Sequence, residues 1–224
     1  MTQLMTVSLV EAIAADIRSR ILRGGYPADA SFKEVEVAAE YEVARPTAKA
    51  AIEKLVSESL LVRRSNKTAR IVTLTPEDVR DIYKTRALLE KAALLQLAEA
   101  RSIPAGARVA QEELERITGG SDLDVVDPDM RFHQALVDSL ESPRTSRMYD
   151  SLISQVKLCM AQVQGLHLVR PDRIVKEHRH LLDLIKAGDG AAAAGFLDEH
   201  LARPRERLVA AISGEADPNS PSNA

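Results

Sequence analysis

Asp129 and His133 stand four residues apart in a chain of 224 residues that holds only five histidines, and His178 and His200 follow at longer intervals. On a helix the i, i+4 spacing brings both side chains to one side, as a metal site needs from a pair of ligands. The same spacing also describes an ordinary Asp–His pair on a helix surface, so the residues alone leave both readings open. His180 follows His178 by two positions, a rotation of about 200° around a helix, and is expected to lie outside any such site. His167, after Gln164-Gly165-Leu166, fits a surface or capping role. Imidazoles with one carboxylate suit zinc, nickel, copper or iron better than calcium or magnesium. Zinc is the first expectation, with nickel, iron or manganese as alternatives. The single cysteine, Cys159, sits beside Leu158 and Met160, which points to an apolar packing role and rules out a disulfide within one chain.

A second set of residues could bind phosphate and base edges. The chain carries a net charge of −3, but residues 43–70 hold seven basic side chains against two acidic ones, whereas residues 76–224 hold 19 against 24. A basic patch on an acidic body suits nucleic acid better than the average charge suggests. Arg45, Thr47 and Lys49 open one predicted helix, and Arg64, Lys67 and Thr68 belong to the basic tip of a predicted hairpin. A recognition helix enters the major groove N-terminus first, while a basic wing neutralises phosphates.

The elements that would position these groups are legible from caps and periodicity. Ser8 and Glu11 form a capping-box pattern ahead of Leu9, Ile13, Ile17 and Ile21, which predicts a helix over Leu9–Arg23 ended by Gly24-Gly25. A short helix over Lys33–Tyr41 and a third over Arg45–Ser57 follow. Leu60-Leu61-Val62 and Ala69-Arg70-Ile71-Val72 read as two strands flanking Arg63–Thr68. Three helices and a hairpin make a winged helix-turn-helix. Thr75-Pro76-Glu77-Asp78 then starts a long helix to about Ala100, and Ile103-Pro104, Asp127-Pro128, Ser142-Pro143 and Arg170-Pro171 each precede an amphipathic stretch. About six helices fit an antiparallel bundle. The expected class is mainly α, with a DNA-binding domain over 1–75, an all-helical domain over 76–213 and a disordered tail over 214–224. No apolar run approaches the roughly 20 residues of a membrane span, so a cytoplasmic protein with no membrane partner is expected.

Ile21-Leu22-Arg23-Gly24-Gly25-Tyr26-Pro27, Phe32-Lys33-Glu34 with Val37-Ala38, and Val43 through Ile52 resemble the DNA-binding domain of the GntR family. The resemblance implies operator contacts from Arg45, Thr47 and Lys49, with Arg64, Lys67 and Thr68 on the wing. The family usually has glycine at the positions of Glu42, Ser59 and Thr68, and arginine at that of Lys49. Lysine lacks the bidentate fork, so looser base discrimination is expected there, and Thr68 disfavours a positive φ at the wing tip. Asp129-Met130-Arg131-Phe132-His133, Glu177-His178-Arg179 with Leu182, and His200-Leu201 resemble three motifs of the FCD ligand-binding domain of the FadR subfamily. This second resemblance implies a divalent metal on Asp129, His133, His178 and His200. It also implies an effector contact from Arg86, whose alternative is a surface ion pair with Glu90. The expected function is a homodimeric, effector-responsive repressor of double-stranded operator DNA that binds a small organic acid. A metal-sensing regulator is the alternative, and a metal-dependent hydrolase the remoter one, since no H-E-x-x-H motif supplies a base.

Overall fold

The computed structural model of the protein describes residues 8–64, 68–117, 122–163 and 170–214. The chain divides into two units, Met1–Thr73 and Leu74–Ala224.

In the first unit α1 (Leu9–Leu22) buries Ile13, Ala14, Ile17 and Ile21 on one stripe. Ser8 accepts the Glu11 N–H at 3.2 Å. The reciprocal half of the expected capping box is replaced: the Glu11 carboxylate lies 2.9 Å from Lys54 Nζ and 3.7 Å from Arg18, where charge-assisted contacts outcompete a neutral backbone N–H. The strand β1 (Ser31–Phe32) is an element the sequence reading lacks, because two residues have no readable period. Helices α2 (Glu34–Glu40) and α3 (Arg45–Ser57) follow, and α3 buries Ala48, Ala51, Ile52 and Leu55. Strands β2 (Leu61–Arg64) and β3 (Thr68–Ile71) complete an antiparallel sheet in the order β1-β3-β2.

Arg64 pairs with Thr68 in the ladder, so residues expected at the wing tip are strand residues, and the connection shortens to 65–67, outside the described residues. Thr68 is the first residue of β3. Glu42 (φ 52°) and Ser59 (φ 59°) do adopt the left-handed conformation. Each follows a helix, with Val43 N–H on Ala38 O and Leu60 N–H on Leu55 O closing the wide bond of a Schellman end. Those two departures from glycine carry the strain.

The second unit contains α4 (Pro76–Ala100), α5 (Ala105–Arg116), α6 (Asp122–Asp138), α7 (Pro143–Gln162), α8 (Pro171–Ala187) and α9 (Gly190–Ser213). Thr75 and Asp78 form a full capping box at α4 with Pro76 in its first turn. Its most extensive packing is against α9, while α5 lies on α6 and α8 on α9. Pro128 does not begin a helix as expected but sits inside α6. The missing N–H is a local cost that burial of Val125, Val126, Met130 and Phe132 outweighs. Gly214, φ 70°, is the left-handed C-cap of α9. Residues 215–224 and His167 lie outside the described residues. No helix among those described is long and apolar enough to cross a membrane.

The left-handed Ser59 gives a direct test. Relief of a non-glycine αL residue is worth about 1–2 kcal/mol and glycine's extra unfolded entropy returns about half of that. Ser59→Gly should therefore raise the unfolding free energy by about 0.5–1 kcal/mol, read from denaturant midpoints at constant slope, while Ser59→Val lowers it.

Candidate functional site

Asp129 and His133 project from α6, His178 from α8 and His200 from α9. One ligand atom from each of these four lies within 4.8 Å of every other. The three imidazoles are buried and Asp129 nearly so. The i, i+4 pair is thus turned into the bundle and is not a surface pair.

Hydrogen bonds identify the atoms that point inward. His133 Nδ1 lies 2.7 Å from Glu90 Oε2, and His200 Nδ1 lies 2.8 Å from Glu177 Oε2. A carboxylate only accepts, so each Nδ1 carries the proton and, in a neutral ring, each Nε2 is left with a bare lone pair. Those two Nε2 atoms face each other at 3.1 Å. His178 Nε2 lies 3.1 Å from Asp129 Oδ1, yet both atoms are buried without a well-formed hydrogen bond. Phe132 stacks on the His178 ring at 3.7 Å between centroids, 9° from parallel. Burial pushes the His178 pKa down against the pull of Asp129, which favours the neutral ligand form. His178 Nε2 and His133 Nε2 lie 3.1 Å and 3.8 Å from Asp129 Oδ1. Ligands about 2.0–2.1 Å from a common ion would stand about 3–3.4 Å apart; two of the pairs stand at 3.1 Å and all four atoms lie within 4.8 Å, so the donor set and its spacing fit a divalent metal after small shifts.

Two carboxylates absent from the sequence reading support the cluster. Glu90 has no exposed surface and takes His133 Nδ1–H, the Tyr149 hydroxyl and Arg86 Nε at 3.0 Å. Burial opposes its charge, but His133 and Arg86 hold its pKa at about 2. The expected Arg86–Glu90 ion pair therefore exists, in the core rather than on the surface. Glu177, half-buried, is likewise held at about 2 by His200 and Arg173 against desolvation. The helical phase of Tyr83, Arg86 and Glu90 matches the apolar stripe Val79, Ile82, Ala93, Leu94 and Leu97 of α4, a signal that could have placed both charges inside.

A cavity of about 80 Å³ adjoins Asp129, His133 and His200. Arg86 lines it, and its Nη2 is buried with no acceptor among the described residues. His180 is excluded, packing edge-on against Phe196. Cys159 is buried, and desolvation pushes its thiol up to about 12.

In the first unit Arg45 and Lys49 are exposed at the start of α3 and Thr47 is half-buried beside them. Other basic residues serve the fold: Arg63 lies 2.8 Å from Glu53, Lys54 meets Glu11, and Arg70 donates to Asp29 O. Lys49 meets no carboxylate among the described residues. Arg64 is placed by its backbone alone, and Lys67 lies outside the described residues.

Residues 81–203 match the FCD domain and residues 9–71 match the family of bacterial regulatory proteins called gntR. The HTH-type transcriptional regulator YdhC of Bacillus subtilis is 23% identical over 197 residues, covering 86% of this chain and 87% of its own. The "Probable D-xylose utilization operon transcriptional repressor" of Paenarthrobacter nicotinovorans is 24% identical, with coverage of 85% and 86%. Among solved structures, a GntR-type transcriptional regulator from Rhodococcus sp. RHA1 superposes with a TM-score of 0.77 at 20% identity, covering 91% of this chain and 98% of its own. E. coli McbR/YncC gives 0.68 at 18% identity, with coverage of 93% and 99%.

Removing Glu90 leaves Arg86 buried without its partner, a loss of about 3–5 kcal/mol. Glu90→Ala should show that loss in denaturant unfolding at neutral pH. Since the folded pKa of Glu90 lies below its ordinary 4.5, its stabilisation is complete above about 4.5 and drains away as pH falls towards about 2. The variant should therefore show a shallower decline of stability over that window than the parent chain.

Proposed function

Because the chain belongs to the FCD-domain regulators of the bacterial gntR family, which are transcription regulators and not enzymes, we propose that it is a homodimeric, effector-responsive repressor whose helical domain holds a divalent metal and a small carboxylate metabolite. The operator-binding part comprises residues 1–75 and the effector part residues 76–213.

The observation that carries the metal and effector reading is the cluster of four ligand groups, three of which line a cavity that a buried, acceptor-less Arg86 Nη2 also borders. Such a guanidinium nitrogen calls for an anion. Asp129, His133, His178 and His200 would hold the metal, zinc by ligand type, with nickel, iron or manganese as competitors. When bound, that ion supplies a Lewis-acidic position with affinity for a carboxylate oxygen. Glu90 and Glu177 hold His133 and His200 in one tautomer, and Arg86 receives the ligand's carboxylate. Arg86 and Glu90 both lie on α4, the first helix after the operator-binding part. A ligand that favours one position of α4 shifts the population of operator-binding states only by its differential affinity for them.

Arg45 and Lys49 supply base-edge and phosphate contacts with Thr47 between them, and Arg64, Lys67 and Thr68 belong to the wing. A dimer follows from the two-fold symmetry of the operators that such heads read. The sense of regulation, repression, agrees with the relative from Paenarthrobacter nicotinovorans.

Gel shifts with genomic fragments should yield at least one fragment bound specifically at physiological salt, and complete failure to find one overturns the reading. On that fragment Arg45→Ala should cost about 1–3 kcal/mol of specific binding, while Lys49→Ala should reduce the salt slope by about one. His178→Ala should lose stoichiometric metal, measured by elemental analysis, with its helical circular dichroism retained. Metal titrated against operator affinity without organic ligand distinguishes the metal-sensing alternative, in which the ion alone changes affinity.

A further inference from the structure

The cavity beside the four ligand groups has a second charged region. Arg170 and Arg173 stand at the N-terminal end of α8, three residues apart, and Arg203 and Arg207 stand four apart on α9. All four line the same cavity as Arg86, so five guanidinium groups meet two lining carboxylates, Asp129 and Glu177. Glu177 is already heavily shared. Its Oε1 accepts Arg173 Nε and Arg203 Nη1, each at 2.7 Å, and its Oε2 accepts from His200. One carboxylate oxygen thus joins two guanidinium groups that otherwise repel, and each retains further N–H donors because arginine carries five. Arg173 and Arg203 remain 45% and 40% exposed, within reach of a molecule entering the mouth. The rest of the lining is largely apolar, with Val156, Met160, Ile174 and Pro204 among it. The first turn of α8 has no side-chain cap at Arg170, and its partial positive charge adds to the same potential.

We propose that the effector is a dianion: one carboxylate is taken at the Asp129, His133, His178 and His200 end with Arg86, and a second anionic group is taken by Arg173 and Arg203 with Arg170 and Arg207. This rests on the reading that a small carboxylate occupies the cavity. The apolar lining selects a short hydrocarbon spacer between the two groups. The second group is a carboxylate or a phosphate-type oxyanion, since guanidinium forks accept either.

The test is calorimetric titration of the full-length, zinc-loaded protein with propionate, succinate and 3-phosphonopropionate, which share a short spacer and differ in the second group. Succinate or 3-phosphonopropionate should bind at least about tenfold more tightly than propionate, the scale of one or more charge-assisted contacts. The tighter of the two identifies the class of the second anion. Arg207→Gln and Arg170→Gln, checked for unchanged zinc content, should each erase most of that preference while leaving propionate affinity within about twofold. Equal affinity for all three acids overturns the dianion and leaves the monocarboxylate reading standing. An unaltered preference in both variants overturns the arginine assignment. No heat or competition from any acid, with zinc bound, overturns the carboxylate reading itself and the dianion with it.

Discussion

A carboxylate with no exposed surface is tolerated in a helical core only when donors replace the water it has lost, and Glu90 of α4 has three. Arg86 supplies one from the preceding turn of the same helix, His133 one from α6 and Tyr149 one from α7. The cost of desolvating such a group is several kcal/mol, which makes the pattern of donors close to obligatory. Slipping α6 or α7 by one residue would withdraw a donor and strand a charge. Helix register in the bundle is thereby tied to the same atoms that set the chemistry of His133, because a proton committed to Glu90 at Nδ1 leaves Nε2 as the free lone pair. Glu177 repeats the device on α8 for His200 of α9. Fold stability and ligand-atom orientation are one set of interactions in this domain, in contrast to a site laid over a finished scaffold.

Asp129 and His133 were legible from spacing because both lie on one helix, where sequence distance translates into direction. His178 and His200 come from separate helices, and only their resemblance to known motifs ties them to the pair. Glu90 was harder to see for a different reason. An Arg–Glu pair at i, i+4 is the usual signature of a solvated face, and the pair becomes internal only because its phase coincides with the apolar stripe of α4. Tyr149 and Glu177 offer no local signal at all, since what makes them matter is a partner 59 and 23 residues away. Pro128 misleads in the opposite sense: proline favours first turns, yet here the buried face around it decides where α6 runs.

The first unit shows how charge composition and charge use diverge. Its basic surplus pointed to DNA, but Arg63, Lys54 and Arg18 are drawn into contacts with Glu53, Glu11 and Glu58 that tie helices and sheet together. What remains at the start of α3 is a small exposed group, Lys49 and Arg45, the latter 4.0 Å from Glu34. The departures from glycine divide in the same way: Glu42 and Ser59 occupy left-handed helix ends, where the cost is conformational, whereas Thr68 is a strand residue. Position in the fold, and not residue type alone, decides whether a substitution strains the chain.

Glu90 and Glu177 perform parallel tasks under unlike conditions, and the difference bears on how a site can respond to what enters it. Glu90 has no exposed surface, and its donors come from α4, α6 and α7. Glu177 is partly open, and two of its donors are guanidinium groups that also line the cavity. An anion competing for Arg173 or Arg203 draws on the charges that stabilise Glu177, which in turn holds His200 Nδ1. Both hydrogen bonds that orient imidazoles in this cluster are therefore tied to guanidinium groups that line the cavity, Glu90 through Arg86 and Glu177 through Arg173 and Arg203. Since α9 makes its largest contact with α4, a change at Glu177 meets, through that packing, the helix that follows the operator-binding part.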